Sequence, residues 1–279
     1  MQNLTFGIEI EYRDLLRKYV TEYMNNYYPM WDSKKEDAII KTSSNPLLGG
    51  ELSSPILTNT LSIWQDITNI CTFLTKNKAS SLNTGAHIHI GANIFENNSM
   101  YFLRFIKLWI SYEHIIYRFS YGEYAYARES LIKYAPPVKE EYQYLLAKLK
   151  PSYIDKFATL TTVFNLGKKK GLNLANIGNP DKNTIEFRTP NGTLNPNVWY
   201  SNFNLFKSLI EYAKSSNYNE DLINFRLNKT PDVLDNKIYI EQAIELSDLI
   251  FKTEREKLVF LKQYLKDFKE EQVYKLARV

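Results

Sequence analysis

The sequence predicts an α+β fold: a mainly antiparallel sheet with helices on one face and the other face open to a ligand. Three observations predict it. Residues 3–12, 85–92 and 184–189 alternate apolar and polar side chains with period two, the pattern of a strand with one buried face. Residues 58–78, 99–120 and 197–216 instead carry apolar residues at spacings of three and four, the stripe of an amphipathic helix. From residue 219 onward the chain is charged and helical in pattern. Strands interleaved with helices, each strand half polar, fit an antiparallel sheet covered on one side only.

In the first strand Leu4, Phe6, Ile8, Ile10 and Tyr12 share one face, and Gly7, Glu9 and Glu11 share the other. Residues 13–28 read as a short helix or an irregular aromatic-rich segment. The run LLGGELSSPIL at 47–57 reads as a turn and a short strand stopped by proline. Leu61, Trp64, Ile67, Ile70, Cys71 and Leu74 mark the apolar face of the 58–78 helix. In GAHIHIGA, at 85–92, Gly85, His87, His89 and Gly91 point one way and Ala86, Ile88, Ile90 and Ala92 the other. Leu103, Ile106, Trp109 and Ile110 line the 99–120 helix, and a shorter helix at 139–150 ends at Pro151. Residues 171–176 and 184–189 are strands joined by a turn at Gly178-Asn179-Pro180-Asp181. The second of them sets Ile185 and Phe187 against Glu186 and Arg188. The candidate boundary lies near Ser215–Asn219, dividing a 1–216 domain from a helical 217–279 extension. There is no internal repeat and no Gly/Ser linker.

At 279 residues, 44% hydrophobic and 24% charged, the composition excludes a disordered or collagen-like chain. The net charge of +4 permits an anionic ligand such as a nucleotide without calling for nucleic acid. A single cysteine, Cys71, excludes an intrachain disulfide and fits a reducing, cytoplasmic setting. No signal-peptide pattern and no run of about 18 apolar residues occur, so no membrane partner is expected. With His87, His89 and His114 as the three histidines, any chemistry that needs four histidine ligands is excluded.

If the three strands lie in one sheet with their apolar faces toward the helices, their other faces present Glu9, Glu11, His87, His89, Glu186 and Arg188 together. Taken alone, Glu9 and Glu11 fit an exposed edge strand and Glu186 and Arg188 a surface ion pair, while His87 and His89 fit metal or phosphate contact as readily as an ordinary role. Jointly, with Gly7, Gly85 and Gly91 beside them, they describe a functional face, because unpaired charges in such numbers are costly to bury. Carboxylates with an imidazole suit Mg²⁺ or Mn²⁺ bridging to phosphate oxygens.

The segments FGIEIEY (6–12), GGELSSPIL (49–57), GAHIHIG (85–91), GLNLANIG (171–178) and TIEFRTPNGTLN (184–195) resemble, in order, the motifs of the putative amidoligases of the glutamine synthetase and glutamate–cysteine ligase superfamily. The resemblance implies a glutamine synthetase-like catalytic domain with a curved sheet. It implies an ATP- and Mg²⁺-dependent ligase that joins a carboxylate to an amine through an acyl phosphate, without a protein nucleophile. Carried over by position, Glu9, His87 and Glu186 would ligate one ion and Glu11 and Glu51 a second. His89 would sit near the nucleotide phosphates, Arg188 on the transferring phosphoryl group, and Asn173 on nucleotide or substrate. Glu51, Glu186 and Arg188 form the catalytic group. The run Lys168-Lys169-Lys170, through Lys170, would supply an expected basic residue, and Arg128 a phosphate or carboxylate contact. The carboxylate would be a small molecule, peptide or protein tail, in families some of which are carried by phages, and homo-oligomers occur in the superfamily. The pocket is expected from loops 28–48 and 121–138, the latter with Tyr121, Tyr124, Tyr126 and Tyr134.

Other readings share parts of this pattern. An ATP-binding relative without activity, or a phosphotransferase-like modifier of another substrate, would keep the same face. A metal hydrolase of the amidohydrolase type would need two more ligating histidines, and only His114, inside an apolar helix, remains.

Overall fold

The computed structural model describes residues 4–36, 45–229, 231–235 and 237–276. Residues 37–44 of the expected 28–48 loop, and the outermost ends of the first strand and of the helical tail, lie outside them. Seven strands form one antiparallel sheet: β1 (Thr5–Leu16), β2 (Asp32–Lys34), β3 (Leu48–Ser53), β4 (Leu57–Thr58), β5 (Ala86–Gly91), β6 (Leu172–Asn173) and β7 (Thr184–Phe187). Their order across the sheet is β2-β3-β1-β5-β7-β6, with β4 also paired to β1.

The first strand lies in the middle of this sheet, bonded to β3 and β4 on one side and to β5 on the other. Its alternation holds as the sequence predicts, with Phe6, Ile8, Ile10 and Tyr12 buried. It runs further than the alternation does. Asp14 takes a left-handed φ of 63°, and the register to β3 shifts between Tyr12 and Leu16. Such a bulge adds a residue and breaks the period of two, which is why the extension reads as irregular in the sequence. Helix α1 (Arg17–Tyr27) follows directly.

β3 stops at Ser-Pro as expected, and the side chain of Ser54 covers the gap in the ladder. Its Oγ accepts from Ile8 N at 2.9 Å and donates to Pro55 O at 2.8 Å. β4 then resumes pairing with Thr5 and Phe6.

Helices α2 (Leu61–Lys76), α3 (Ser99–Ser111) and α9 (Pro196–Lys214) cover the apolar side of the sheet. Phe206 of α9 stacks on Phe187 of β7 at 4.1 Å, and Phe203 packs on Phe6 at 4.5 Å. Trp64 of α2 lies 5.4 Å from Phe6, and Trp109 of α3 lies 5.6 Å from Phe187. Each fully buried aromatic contributes about 2–3 kcal/mol, and together they fix which face of each strand looks inward.

The 99–120 segment is two helices rather than one. It breaks at Tyr112, and α4 (Glu113–Ser120) follows. The buried Glu113 carboxylate accepts from Trp109 Nε1, Val138 N and Lys139 N, each at 2.9 Å. It thereby pins the start of a distant helix, and burial pushes its pKa up to about 7. No Gly or Pro marks this break.

Between α4 and β6 the chain forms short helices α5 (Leu131–Tyr134), α6 (Lys139–Lys148), α7 (Pro151–Ile154) and α8 (Phe157–Val163). After residue 216 come α10 (Glu220–Leu227), α11 (Ile240–Ile250), α12 (Glu254–Tyr264) and α13 (Glu270–Leu276). Leu246, Phe260, Leu261 and Tyr264 of this region belong to the same hydrophobic cluster as the sheet. Phe260 stacks on Phe119 at 4.9 Å. Among the described residues, no helix is long and apolar enough to cross a membrane.

His114 of α4 is buried away from the open sheet face. Its Nε2 lies 2.6 Å from Gln242 Oε1 of α11, and its ring meets Tyr239 edge-on. Burial pulls its pKa down to about 4, so the folded chain holds it neutral while the unfolded chain protonates it below about 6.5. Stability from this group is therefore full above pH 6.5 and is lost as pH falls toward 4. A shift of this size corresponds to about 3 kcal/mol. In urea unfolding, His114→Leu should flatten the acid limb between pH 6.5 and 4 by that amount relative to wild type. Parallel pH profiles for the two proteins would contradict the assignment.

Candidate active site

Strand register brings the polar residues together in rungs on one face. One rung sets Lys34, Glu51 and Glu11 side by side across β2, β3 and β1. The next pairs Glu9 with His87. A third sets Gly7, His89, Glu186 and Asn173 across β1, β5, β7 and β6. The alternation that sends Ile8, Ile88 and Ile185 into the core sends these side chains to the open face.

The second and third rungs interlock. Glu9 Oε2 lies 2.6 Å from His87 Nδ1, and Glu9 Oε1 lies 3.3 Å from His89 Nε2. One atom each of Glu9, His89 and Glu186 falls within 4.8 Å of the others. His89 Nε2 is buried and makes no well-aligned hydrogen bond, so Glu9 Oε1 at 3.3 Å holds it by charge within this group of carboxylates. Glu186 accepts from Asn173 Nδ2 at 2.5 Å and pairs through its other oxygen with Arg188. Asn173 is itself held by Ala175 N at 2.9 Å.

The electrostatics follow from these contacts. Burial alone would raise the Glu9 carboxyl, but the two imidazoles hold it well below the usual carboxylate range. Burial also works against charge on His87, and its bond to Glu9 overcomes that and raises its pKa. His87 Nδ1 is engaged by Glu9 and lies 3.8 Å from Glu186 Oε1, while its Nε2 lies 3.9 Å from Glu11 Oε1. His87 thus links the carboxylates, and His89 is the imidazole whose buried nitrogen makes no well-aligned hydrogen bond.

At the first rung Glu51 Oε1 accepts from Ser53 Oγ at 2.8 Å and lies 3.1 Å from Lys34 Nζ. Glu11 Oε2 accepts from Gly85 N at 2.7 Å. A Cβ at Gly85 would stand 3.1 Å from Glu11 Oε1, which explains a glycine there. Of the glycines in the motifs, Gly85 alone is at the cleft; Gly7 abuts Ser54 and Gly91 abuts Thr5.

A cleft of about 720 Å³, a size suited to a small-molecule ligand, stands over the first two rungs of this face, with His89, Glu186 and Asn173 of the third rung beside it rather than in its lining. Its floor includes Glu9, Glu11, Glu51 and His87, and its walls bring in Lys34, Lys133, Tyr134, Arg128 and Arg188. Apart from Arg188, which follows β7, these wall residues come from the two expected loops. Of the four loop tyrosines Tyr134 lines the cleft, whereas Tyr121 packs in a small apolar cluster and Tyr126 is exposed.

Lys34, Lys133, Arg13 and Glu129 also line the cleft, and the sequence analysis did not single them out. Arg13 continues the alternation of Glu9 and Glu11 along β1, whereas Lys34, Lys133 and Glu129 have no periodic context and only the strand register or the loop path reveals them. Lys170, by contrast, pairs with Glu141 and is not in the lining. Its neighbour Lys169 sits over the Tyr134 ring at 5.9 Å.

Arg128 is 4% exposed and its fork is spent on backbone. Nη1 donates to Pro190 O at 2.5 Å and Nη2 to Arg188 O at 2.8 Å. In return, Asn191 accepts from Arg128 N at 3.0 Å and donates to Tyr126 O at 2.9 Å. The loop before α5 and the chain leaving β7 therefore hold each other, and Arg188 is carried on that clamp. Burial pulls the Arg128 pKa down to about 10, which leaves it cationic at neutral pH.

The model of the family described as putative amidoligase enzyme matches residues 31–210, more than half of the chain. The match includes Glu51, His87, His89, Asn173, Glu186 and Arg188, and begins after Glu9 and Glu11. No curated protein matches the chain.

The clamp makes a prediction. Arg128→Met would leave buried carbonyls without donors, each costing about 1–3 kcal/mol. Urea unfolding should show a loss of roughly 3 kcal/mol, with Arg128→Lys recovering only part, because an ammonium does not reproduce the planar fork. A loss below about 0.5 kcal/mol, typical of a surface change, would refute the clamp.

Proposed function

The chain belongs to the putative amidoligase enzyme family, and from that premise we propose that it forms an amide bond between a carboxylate and an amine, driven by ATP with Mg²⁺ or Mn²⁺. The observation that carries the proposal is the convergence of Glu9, His89 and Glu186 on one point of the open sheet face, with Arg188 beside Glu186. Two carboxylates and one imidazole whose buried nitrogen makes no well-aligned hydrogen bond fit a Mg²⁺- or Mn²⁺-class ion. When bound, such an ion would neutralise phosphate charge and orient the phosphates.

In the first step the substrate carboxylate attacks the γ-phosphorus of ATP, the bond to the bridging oxygen breaks, and ADP leaves. An acyl phosphate results. In the second step the amine nitrogen attacks the acyl carbon, phosphate leaves, and the nitrogen gives up a proton. The chain supplies charge and position for both steps. Arg188, cationic and forked, is assigned to the transferring phosphoryl oxygens. Glu186 and Asn173 keep that fork in place from below. Glu51 is assigned to accept the amine proton, and Lys34, Lys133 and Arg128 make the cleft wall attractive to anions. The carboxylate substrate is a small molecule, a peptide or a protein tail.

Calorimetry with ATP, with and without Mg²⁺, tests the nucleotide and metal parts. Wild type should bind ATP only with Mg²⁺, and Glu186→Gln and Arg188→Ala should weaken binding at least tenfold. Asn173→Ala, which frees Glu186 without touching a ligand, should lower Mn²⁺ affinity about 10–100-fold. ADP release that needs both an added carboxylate and an added amine would establish ligation. Release without the amine would point to phosphoryl transfer alone, and no nucleotide binding by folded wild type would end the ATP reading.

A further inference from the structure

The two halves of the acidic face are built differently. At Glu9, His89 and Glu186, three donor atoms converge, and the buried His89 Nε2 faces Glu9 Oε1 at 3.3 Å without a well-aligned hydrogen bond. At Glu11 and Glu51 two carboxylates stand directly opposite each other on neighbouring strands, an arrangement that repels. Among the described residues, no third Asp, Glu or His atom joins them within the reach that unites the first group.

What stands there, besides His87 Nε2 at 3.9 Å from Glu11 Oε1, is Lys34. It lies directly opposite Glu51 in the β2–β3 register, with its ammonium 3.1 Å from Glu51 Oε1. Its strand is tied to α1 by the Ser33 and Thr21 hydroxyls at 2.9 Å. Ser53 Oγ and Gly85 N complete the set, one donating to Glu51 and the other to Glu11.

We infer that Lys34 is the resident cation of this half of the face, so that the chain itself holds one divalent ion, at Glu9, His89 and Glu186, where its motifs suggest two. The inference rests on the metal reading proposed above. A lysine ammonium is a compact monovalent charge with three donors. It can neutralise Glu51 and still meet an anionic substrate at the cleft wall, and it excludes a divalent ion from the Glu11–Glu51 pair.

The test is the number of Mn²⁺ ions bound by the nucleotide-free chain, read by electron paramagnetic resonance of free Mn²⁺ and by calorimetry. Wild type should bind one. Lys34→Met should bind a second, weaker ion, because two carboxylates suffice for a hydrated Mg²⁺- or Mn²⁺-type ion. Lys34→Arg, which keeps the charge, should remain at one and serves as the control for folding. Two ions in wild type, or one in both wild type and Lys34→Met, would overturn the role of Lys34 and leave the Glu9–His89–Glu186 reading standing. No ion in folded wild type would overturn both.

Discussion

Carboxylates gathered on one face of a sheet repel each other, and that repulsion is the constraint around which this protein is organised. Glu9, Glu11, Glu51 and Glu186 come from three strands, and the pairing that aligns their backbones forces them together. Each is answered locally by a different group: His87 and His89 for Glu9, a backbone N–H for Glu11, Lys34 and Ser53 for Glu51, Arg188 and Asn173 for Glu186. His89 Nε2 answers Glu9 from 3.3 Å without a well-aligned hydrogen bond. The face is therefore nearly neutralised by its own residues, with one point of unmet demand.

What holds the charges against their repulsion is the opposite side of the same strands. Phe6, Ile8, Ile88, Ile185 and Phe187 are buried against α2, α3 and α9. A slip of one residue in any strand would turn its apolar set outward, so the register that aligns the rungs is paid for by the core. The clamp between Arg128 and the chain after β7 adds a second fixture where the sheet ends and Arg188 must be aimed.

Much of this was legible in the sequence because it is carried by local pattern. Alternation places Glu9, Glu11, His87, His89, Glu186 and Arg188 on one face without reference to any distant residue, and the ordered motifs point to the family. The features that were not legible depend on pairing across long stretches of chain. Lys34 has no periodic context; only the β2–β3 register makes it a neighbour of Glu51. Arg128 looks like a ligand-binding arginine until the carbonyls of residues 188 and 190 claim its fork. The break at Tyr112 has no Gly or Pro to announce it, and the contacts of Glu113 with Val138 and Lys139 just beyond it span a stretch no local pattern reveals. The run beyond Tyr12 is obscured by the left-handed Asp14. Which histidine nitrogen lacks a well-aligned hydrogen bond is likewise a matter of tertiary geometry, and the two histidines look equivalent in sequence.

The central position of β1 has a consequence for how the chain comes into being. β1 is made before every strand it pairs with, and the last of these, β5, is complete only at Gly91, roughly 80 residues later, which at ribosomal speeds is about 4–16 s of synthesis. Through that interval a strand of isoleucines and aromatics waits with both edges open, the condition that invites pairing with other nascent chains. Glu9 and Glu11 alternate with those apolar residues, and unpaired carboxylates along a strand oppose such association. The residues that later form the floor of the cleft thus first serve as the gatekeepers of the strand that carries them.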